Sequence, residues 1–265
     1  MRTVFPAPRD AGPLLLAAFL ALAVLAPSPD ARADRRIFGF TYPYMTLPRG
    51  GFEIEHYLDA GLARPDDPAT LPVEDALRPS WQHQVEFEYG ITDHWDFGFY
   101  NVFRQKAYEA FDYRGPKLRT RHRFGEEGDF FVDPAVYLEV AYFGDEIEIE
   151  ERLILAKTWK KLEVAFNLKV EQEIEFEANE TEVEHVLNPT LGAGWHFTEH
   201  FAAGLEYFAR IVRAEGEWGP YADFIGPTMS FSGTHYWWTV TAQKQLSSAP
   251  GESSWQVRSL FAVVF

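Results

Sequence analysis

From Gly51 onward, apolar and polar residues alternate in one short segment after another, and a period of two specifies a strand where a helix would need 3.6. In "GFEIEHYLD" Phe52, Ile54 and Leu58 share one face while Glu53, Glu55 and Asp59 share the other. "SWQHQVEFEYG" sets Trp81, Val85, Phe87 and Tyr89 against Gln82, Gln84, Glu86 and Glu88. "KLEVAFNLKVEQ" sets Leu162, Val164, Phe166, Leu168 and Val170 against Glu163, Asn167, Lys169 and Glu171. "HFAAGLEYFARI" does the same with Phe201, Leu205, Tyr207 and Ile211 against Gly204, Glu206 and Arg210. Twelve such segments follow, at roughly 51–59, 80–90, 95–105, 117–124, 134–143, 146–156, 161–173, 182–194, 200–212, 222–231, 235–246 and 254–265.

The links between them come in two kinds. "ITDH", "KTWK", "HFTEH" and "SGT" are short, with "GEEGDFFVD" a longer member of that set. They alternate with more variable links: the Pro/Asp-rich 60–79, 106–116, "EFEANETE", 213–221 and "SSAPGES", Gly144-Asp145 being very short. An even number of alternating strands with short turns on one side and longer loops on the other is the layout of a bacterial outer-membrane barrel. The expected fold is therefore all-β: a twelve-stranded antiparallel transmembrane β-barrel. A soluble sandwich or lipocalin-like barrel with core aromatics is the competing reading.

The N-terminal residues carry a different signal. Arg2 and Arg9 precede the apolar run Leu14 to Leu25, and Ala31-Arg32-Ala33 has the small-x-small form of a cleavage site. Residues 1–33 are expected to be a cleaved secretory signal peptide and 34–265 the barrel domain; a run of twelve is too short for a membrane helix, which needs about 20 residues. No cysteine is present, so disulfides, thiolate metal sites and a cysteine nucleophile are excluded. A net charge of −16 argues against nucleic acid as a partner. All eight tryptophans fall near strand ends: Trp81, Trp218 and Trp255 at one membrane interface, Trp95, Trp159, Trp195, Trp237 and Trp238 at the other.

The last segment, "SWQVRSLFAVVF", places Trp255, Val257, Phe261, Val263 and Phe265 on one face, and it resembles the C-terminal signal of bacterial outer-membrane β-barrel proteins. That resemblance implies recognition by the barrel-assembly machinery and residence among outer-membrane lipid and lipopolysaccharide of a Gram-negative-type bacterium. "YGITDHWDFGFY", "LNPTLGAGWHFTEHFAAGLEY" and "FIGPTMSF" are similar to stretches in twelve-strand barrels of the phenol-degradation MetA-pathway type. This second resemblance implies a transport or porin-like role for small solutes and supplies no catalytic residues and no cofactor.

In such a barrel the inward face carries the chemistry. "KLRTRHRF" places Lys117, Arg119, Arg121 and Arg123 on one side, with Glu86, Glu88, Asp96 and Glu139 at neighbouring positions. The two readings are cross-strand ion pairing in a half-buried interior, or a basic stripe guiding an anion. Glu163, Glu206, Arg210 and Arg258 complete the candidate lumen set. A second cluster gathers at the expected outer mouth: Glu146, Glu148 and Glu150, then Glu171, Glu173, Glu175 and Glu177, then Glu182 and Glu184. It reads as a solvated rim, as a cation-attracting vestibule, or as a weak site for a divalent cation such as Ca²⁺, whose ligands are oxygens.

The expected function is a porin-like channel, cation-preferring at its acidic mouth; the alternatives are a plugged structural or receptor-like barrel and, less favoured, a hydrolase. No histidine is followed two residues later by serine, and Glu184-His185 is the one acid–His neighbour placed near the outer end. The link 60–79 is long enough to fold over or into a pore.

Overall fold

In a computed structural model the described residues are 36–62, 79–105, 110–176, 181–214, 216–247 and 253–265. The signal-peptide expectation, Glu177 and most of the 60–79 link lie outside them. Twelve strands form one closed antiparallel barrel in simple sequence order. They are β1 (Phe52–Leu62), β2 (Pro79–Thr92), β3 (Trp95–Gln105), β4 (Asp112–Arg123), β5 (Asp133–Tyr142) and β6 (Glu146–Trp159), then β7 (Leu162–Phe176), β8 (Thr181–His196), β9 (Phe201–Ala214), β10 (Glu217–Ser232), β11 (Tyr236–Gln245) and β12 (Trp255–Val264).

β12 closes on β1 from Glu53↔Val264 to Leu62↔Trp255, and the backbone N–H of Phe265 donates to the Phe52 carbonyl at 2.9 Å. Closure removes the unpaired edges that a membrane could not solvate. No strand end is left over at this seam, where the Phe52 and Phe265 rings meet at 5.8 Å.

Parity decides what faces where. Glu53, Glu55, Tyr57 and Asp59 of β1 stand beside Glu88, Glu86, Gln84 and Gln82 of β2 and Val264, Ala262, Leu260 and Arg258 of β12, and this set points inward. The alternate set, including Phe97, Leu138, Leu153, Leu205 and Phe261, is exposed on the outside, as a lipid-facing belt requires. Among the described residues, no helix is long and apolar enough to cross a membrane.

Three sequence expectations need correction. β4 begins at Asp112 and not near 117, because Gly115 at φ +149° and a register shift between Val102 and Phe103 let the strand continue through Gly115-Pro116, which reads as a break in the pattern. β10 begins at Glu217 and not near 222, so the 213–221 stretch is mostly a hairpin, turning at Gly216 with φ +85°. Trp237 belongs to no girdle: it follows the inward parity of β11, is fully buried, and donates its indole N–H to Glu53 at 2.6 Å. Adjacent Trp237 and Trp238 must take opposite faces of a strand, and Trp238 takes the outer one.

The largest departure lies before β1. Residues 36–47 run inside the barrel. Ile37, Phe38, Phe40, Tyr42, Tyr44 and Leu47 are all buried there. Full burial of an apolar side chain such as Phe38 contributes about 1.5–3 kcal/mol. The segment enters at the end where β1 begins and β12 finishes, the periplasmic end in barrels of this class. There Gly50 donates to Gly90 O at 2.8 Å and Leu47 N–H to Asp96 at 3.1 Å. It climbs to Phe40 and returns, so that the Arg36 carbonyl accepts from Ser230 at 3.0 Å and from Thr239. Wall glycines clear its path: a Cβ at Gly90 would lie 2.0 Å from Pro48 O, one at Gly192 2.6 Å from the Phe38 ring, and one at Gly194 2.9 Å from Ile37.

Candidate functional site: a vestibule closed by the N-terminal segment

Three tiers stack along the lumen. In the lowest, Arg119 reaches Glu86 at 2.7 Å, Glu88 at 2.5 Å and also Asp96, while Arg121 holds Asp96 at 2.8 Å and Glu88 at 3.2 Å. All five side chains are buried. Register explains the convergence: Asp96 stands opposite Arg121, Glu88 opposite Gly98, and Gly98 opposite Arg119. Gly98 leaves the gap these charges share, since a Cβ there would lie 2.2 Å from Glu86 and 2.6 Å from Arg119. Glu55, Glu86 and Glu88 bring carboxylate oxygens within 4.8 Å of one another, a spacing that suits a metal. Arg119 and Arg121 occupy two of them, and Arg36 approaches Glu55 at 3.8 Å, so guanidinium groups take the role a cation would fill.

The middle tier holds the N-terminal segment. The Glu206 carboxylate, fully buried on β9, accepts from the backbone N–H of Gly39 at 3.0 Å, of Phe40 at 2.7 Å, and of Thr41. Three consecutive N–H groups aimed at one carboxylate form a concave anion-binding nest, and charge-assisted bonds are the strong kind. Asn167 clasps Tyr42 from both sides, accepting its N–H at 2.6 Å and donating to its carbonyl at 3.1 Å. Arg152 lies 4.3 Å from the Tyr42 ring centroid and donates to Phe40 O. Tyr44 pins the lower limb by bonding to Phe124 O and Gly125 O.

Above Phe40 and Tyr42 the lumen opens. One cavity of 340 Å³ is walled by Lys117, Glu139, Glu150, Lys169, Glu171 and their neighbours. A second of 440 Å³ lies at the mouth, between Arg104, Arg114 and Arg210 on one hand and Glu146, Glu148, Glu173 and Glu175 on the other. A third, of 290 Å³, sits toward β1, β8, β9 and β12 with Phe40 and Phe208 in its wall.

The candidate residues divide by tier. Lys117 bonds Glu139 at 3.1 Å and Glu148 at 3.3 Å; Arg119 and Arg121 belong to the lower network; Arg123 turns down to Asp93 O at 2.9 Å and Glu126 at 3.0 Å. The four thus do not line one continuous basic stripe. Glu163 meets His196 at 3.0 Å near the short-turn end, Arg258 grips Asp59 at 2.5 and 2.9 Å, and Arg210 stands 3.7 Å from Glu173. Cross-strand register aligns Glu146, Glu175 and Glu182 in one row and Glu148, Glu173 and Glu184 in the next, with Glu150 opposite Glu171 one row deeper. Glu150 and Glu171 are neutralised by Arg152 and Lys169. Glu184 follows the inward row and His185 the outward one, so this acid–His pair is split between two faces.

Most of the 60–79 link, the candidate plug in the sequence, lies outside the described residues; the segment before β1, which the strand pattern leaves out, fills the lumen. A signal was present: "RRIFGFTYPYMTL" is rich in aromatic residues, follows the expected cleavage site, and belongs to no strand of the barrel. Apolar residues with no strand to join have only the lumen to bury in.

No protein-family profile matches this sequence, and no curated protein does. Solved structures do match the fold. An outer membrane channel from Pseudomonas putida F1 aligns with a TM-score of 0.61 at 9% identity, covering 84% of this chain and 98% of that one. The NanC porin aligns with a TM-score of 0.52 at 6% identity, covering 81% and 98%. At these identities the likeness is one of architecture: the chain shares the closed antiparallel barrel fold of these outer-membrane proteins.

Proposed function

We propose that this chain is an outer-membrane channel for small solutes whose path is narrowed by its own N-terminal segment. The observation that carries the proposal is the outward-opening vestibule, lined by charged side chains and stopped at Phe40 and Tyr42 by residues that no strand contains. A barrel that served only as a structural staple would gain stability from an apolar interior and has no need of water-filled space walled by ions. Twelve strands stand between the eight that side chains fill and the sixteen to eighteen that leave a wide aqueous channel, so an internal segment sets the bore. No cofactor enters this reading. The outward face of β12, with Trp255, Val257, Phe261, Val263 and Phe265, is assigned to the barrel-assembly machinery.

Selection in this reading comes from size and from charge placement. At the mouth Glu146, Glu148, Glu173, Glu175, Glu182 and Glu184 outnumber Arg104, Arg114 and Arg210, and the carboxylates occupy the β6–β8 wall. Their field concentrates cations along that wall and gives the channel a modest preference for them. The test is single-channel recording of the folded mature chain in a planar bilayer under a KCl gradient. Discrete steps with a reversal potential of cation-selective sign are expected, and Glu173→Gln/Glu175→Gln/Glu182→Gln should move that potential toward zero. A silent bilayer, despite a folded barrel, would replace the channel with a plugged, receptor-like role.

The same triple variant tests the proposal that the mouth holds Ca²⁺ weakly through carboxylate oxygens. Millimolar CaCl₂ should raise the melting temperature of the wild-type barrel and leave that of the variant unmoved. An equal response of the two proteins would place the calcium elsewhere.

A further inference from the structure

The 290 Å³ cavity differs in chemistry from the rest of the vestibule. It lies at the small end of the range for small-molecule sites, about 300–1,000 Å³. Its apolar side is built from Phe208 and Phe40, whose ring centroids are 5.4 Å apart, and Phe224 backs Phe208 at 6.0 Å. Its polar side carries the cations Arg152, Lys169 and Arg258, with Asp59 as the one carboxylate in the wall and with the amides of Asn188 and Gln256, which donate to Ala209 O and to Gln243.

Arg258 is not exhausted by its partners. Arg258 spends Nε and Nη2 on Asp59 and one Nη1 hydrogen on Gly39 O, which leaves guanidinium N–H groups over. Lys169 bonds Glu171 and lies 3.4 Å from Glu150. Thr190, beside Phe208 in the β8–β9 register, lines the same cavity; its hydroxyl is buried and has no hydrogen-bond partner. A buried hydroxyl left unpaired is destabilising, so a partner that the chain itself does not provide would be favoured there.

We infer that this cavity is a binding site for a small carboxylate carrying a planar apolar ring. The ring lies against Phe208, and the carboxylate accepts from Arg258, Lys169 and the Thr190 hydroxyl. A neutral sugar makes no use of the three cationic groups in the wall. A bare small anion leaves the aromatic side unused. The inference rests on the reading of the lumen as a solute path: the site is a station above the N-terminal segment, open to the outside.

The experiment is calorimetric titration of the folded full-length mature barrel in detergent micelles with benzoate, acetate and benzyl alcohol, each corrected for heat in protein-free micelles. Benzoate should bind, with acetate and benzyl alcohol weaker by about tenfold or more, since neither makes both sets of contacts. Phe208→Ala and, separately, the isosteric Thr190→Val should each weaken benzoate about five- to tenfold. Thr190→Val keeps the shape of the wall, so a loss there reports the hydroxyl and not the fold. Benzyl alcohol binding as well as benzoate, or benzoate binding unchanged in both variants, would overturn the site. Because binding is read without current, the two proposals fail separately. Benzoate binding in a barrel that never conducts keeps the site and removes the channel; conduction with no benzoate binding keeps the channel and removes the site.

Discussion

Replacing Phe38, Phe40, Tyr42 and Tyr44 together by serine is expected to raise single-channel conductance several-fold while the barrel stays folded. These four side chains fill the lumen from its lower limb at Tyr44 up to Phe40, and the strands around them close on each other without their help: every adjacent pair from β1 to β12 is joined by its own ladder. Removing the rings exchanges apolar bulk for water in a wall already lined by ions. Glu206→Ala provides an independent route to the same end. It deletes the carboxylate that gathers the N–H groups of Gly39, Phe40 and Thr41; Gly39 keeps Thr241 as an acceptor, while the Phe40 and Thr41 N–H groups are left without one, at about 1–3 kcal/mol each. The segment should then leave the lumen for part of the time, seen as long-lived high-conductance openings absent from the wild type. Conductance unchanged in both variants would mean that current passes around the segment, and its role as the bore-setting element would fall. Loss of heat-modifiable folding in the serine variant alone would be answered by the Glu206→Ala trace, where the apolar packing is untouched.

What the sequence revealed follows from the range of the interactions involved. Strand number, parity and the short-turn end were legible, because alternation and turn chemistry are local. Pairing of Lys117, Arg119 and Arg121 with acids on adjacent and next-but-one strands was legible for a related reason: strands close in the chain are close in space. Strand starts failed at Gly115-Pro116 and around Trp218, where a register shift hides the period. Trp237 was assigned by nearness to a strand end when parity should have decided it. The anchor at Glu206 was illegible in a deeper sense. Its position on the inward face could be read, but its partner lies 166 residues away, and no pattern links a carboxylate on β9 to a nest ahead of β1. Contacts between a barrel wall and what it encloses are non-local by construction, so the contents of a lumen are the last thing a strand pattern discloses.

Arg119→Met should destabilise the barrel by about 3–5 kcal/mol, the cost of breaking a buried pair by removing one partner. Arg119 is 2% exposed and lies between Glu86 and Asp96, each fully buried, with Glu88 beside them. Without it, three carboxylates share Arg121, which already serves Glu88 and Asp96. Like charges so placed repel strongly where water does not screen them. Urea unfolding of the refolded protein in micelles, followed by tryptophan fluorescence, reads the loss as a drop in midpoint. A double-mutant cycle separates mechanism from bulk: Glu86→Gln should be costly in the wild type, yet in the Arg119→Met background it should restore part of the lost stability by removing a repulsive charge. A cost below about 1 kcal/mol, the value of an exposed ion pair, would show that water reaches this tier and that the lower network is solvated. The tier would then be part of the conducting path. A large cost with rescue by Glu86→Gln makes it a rigid floor, and the N-terminal segment, which meets this floor through Leu47 and Asp96, then moves against a fixed wall.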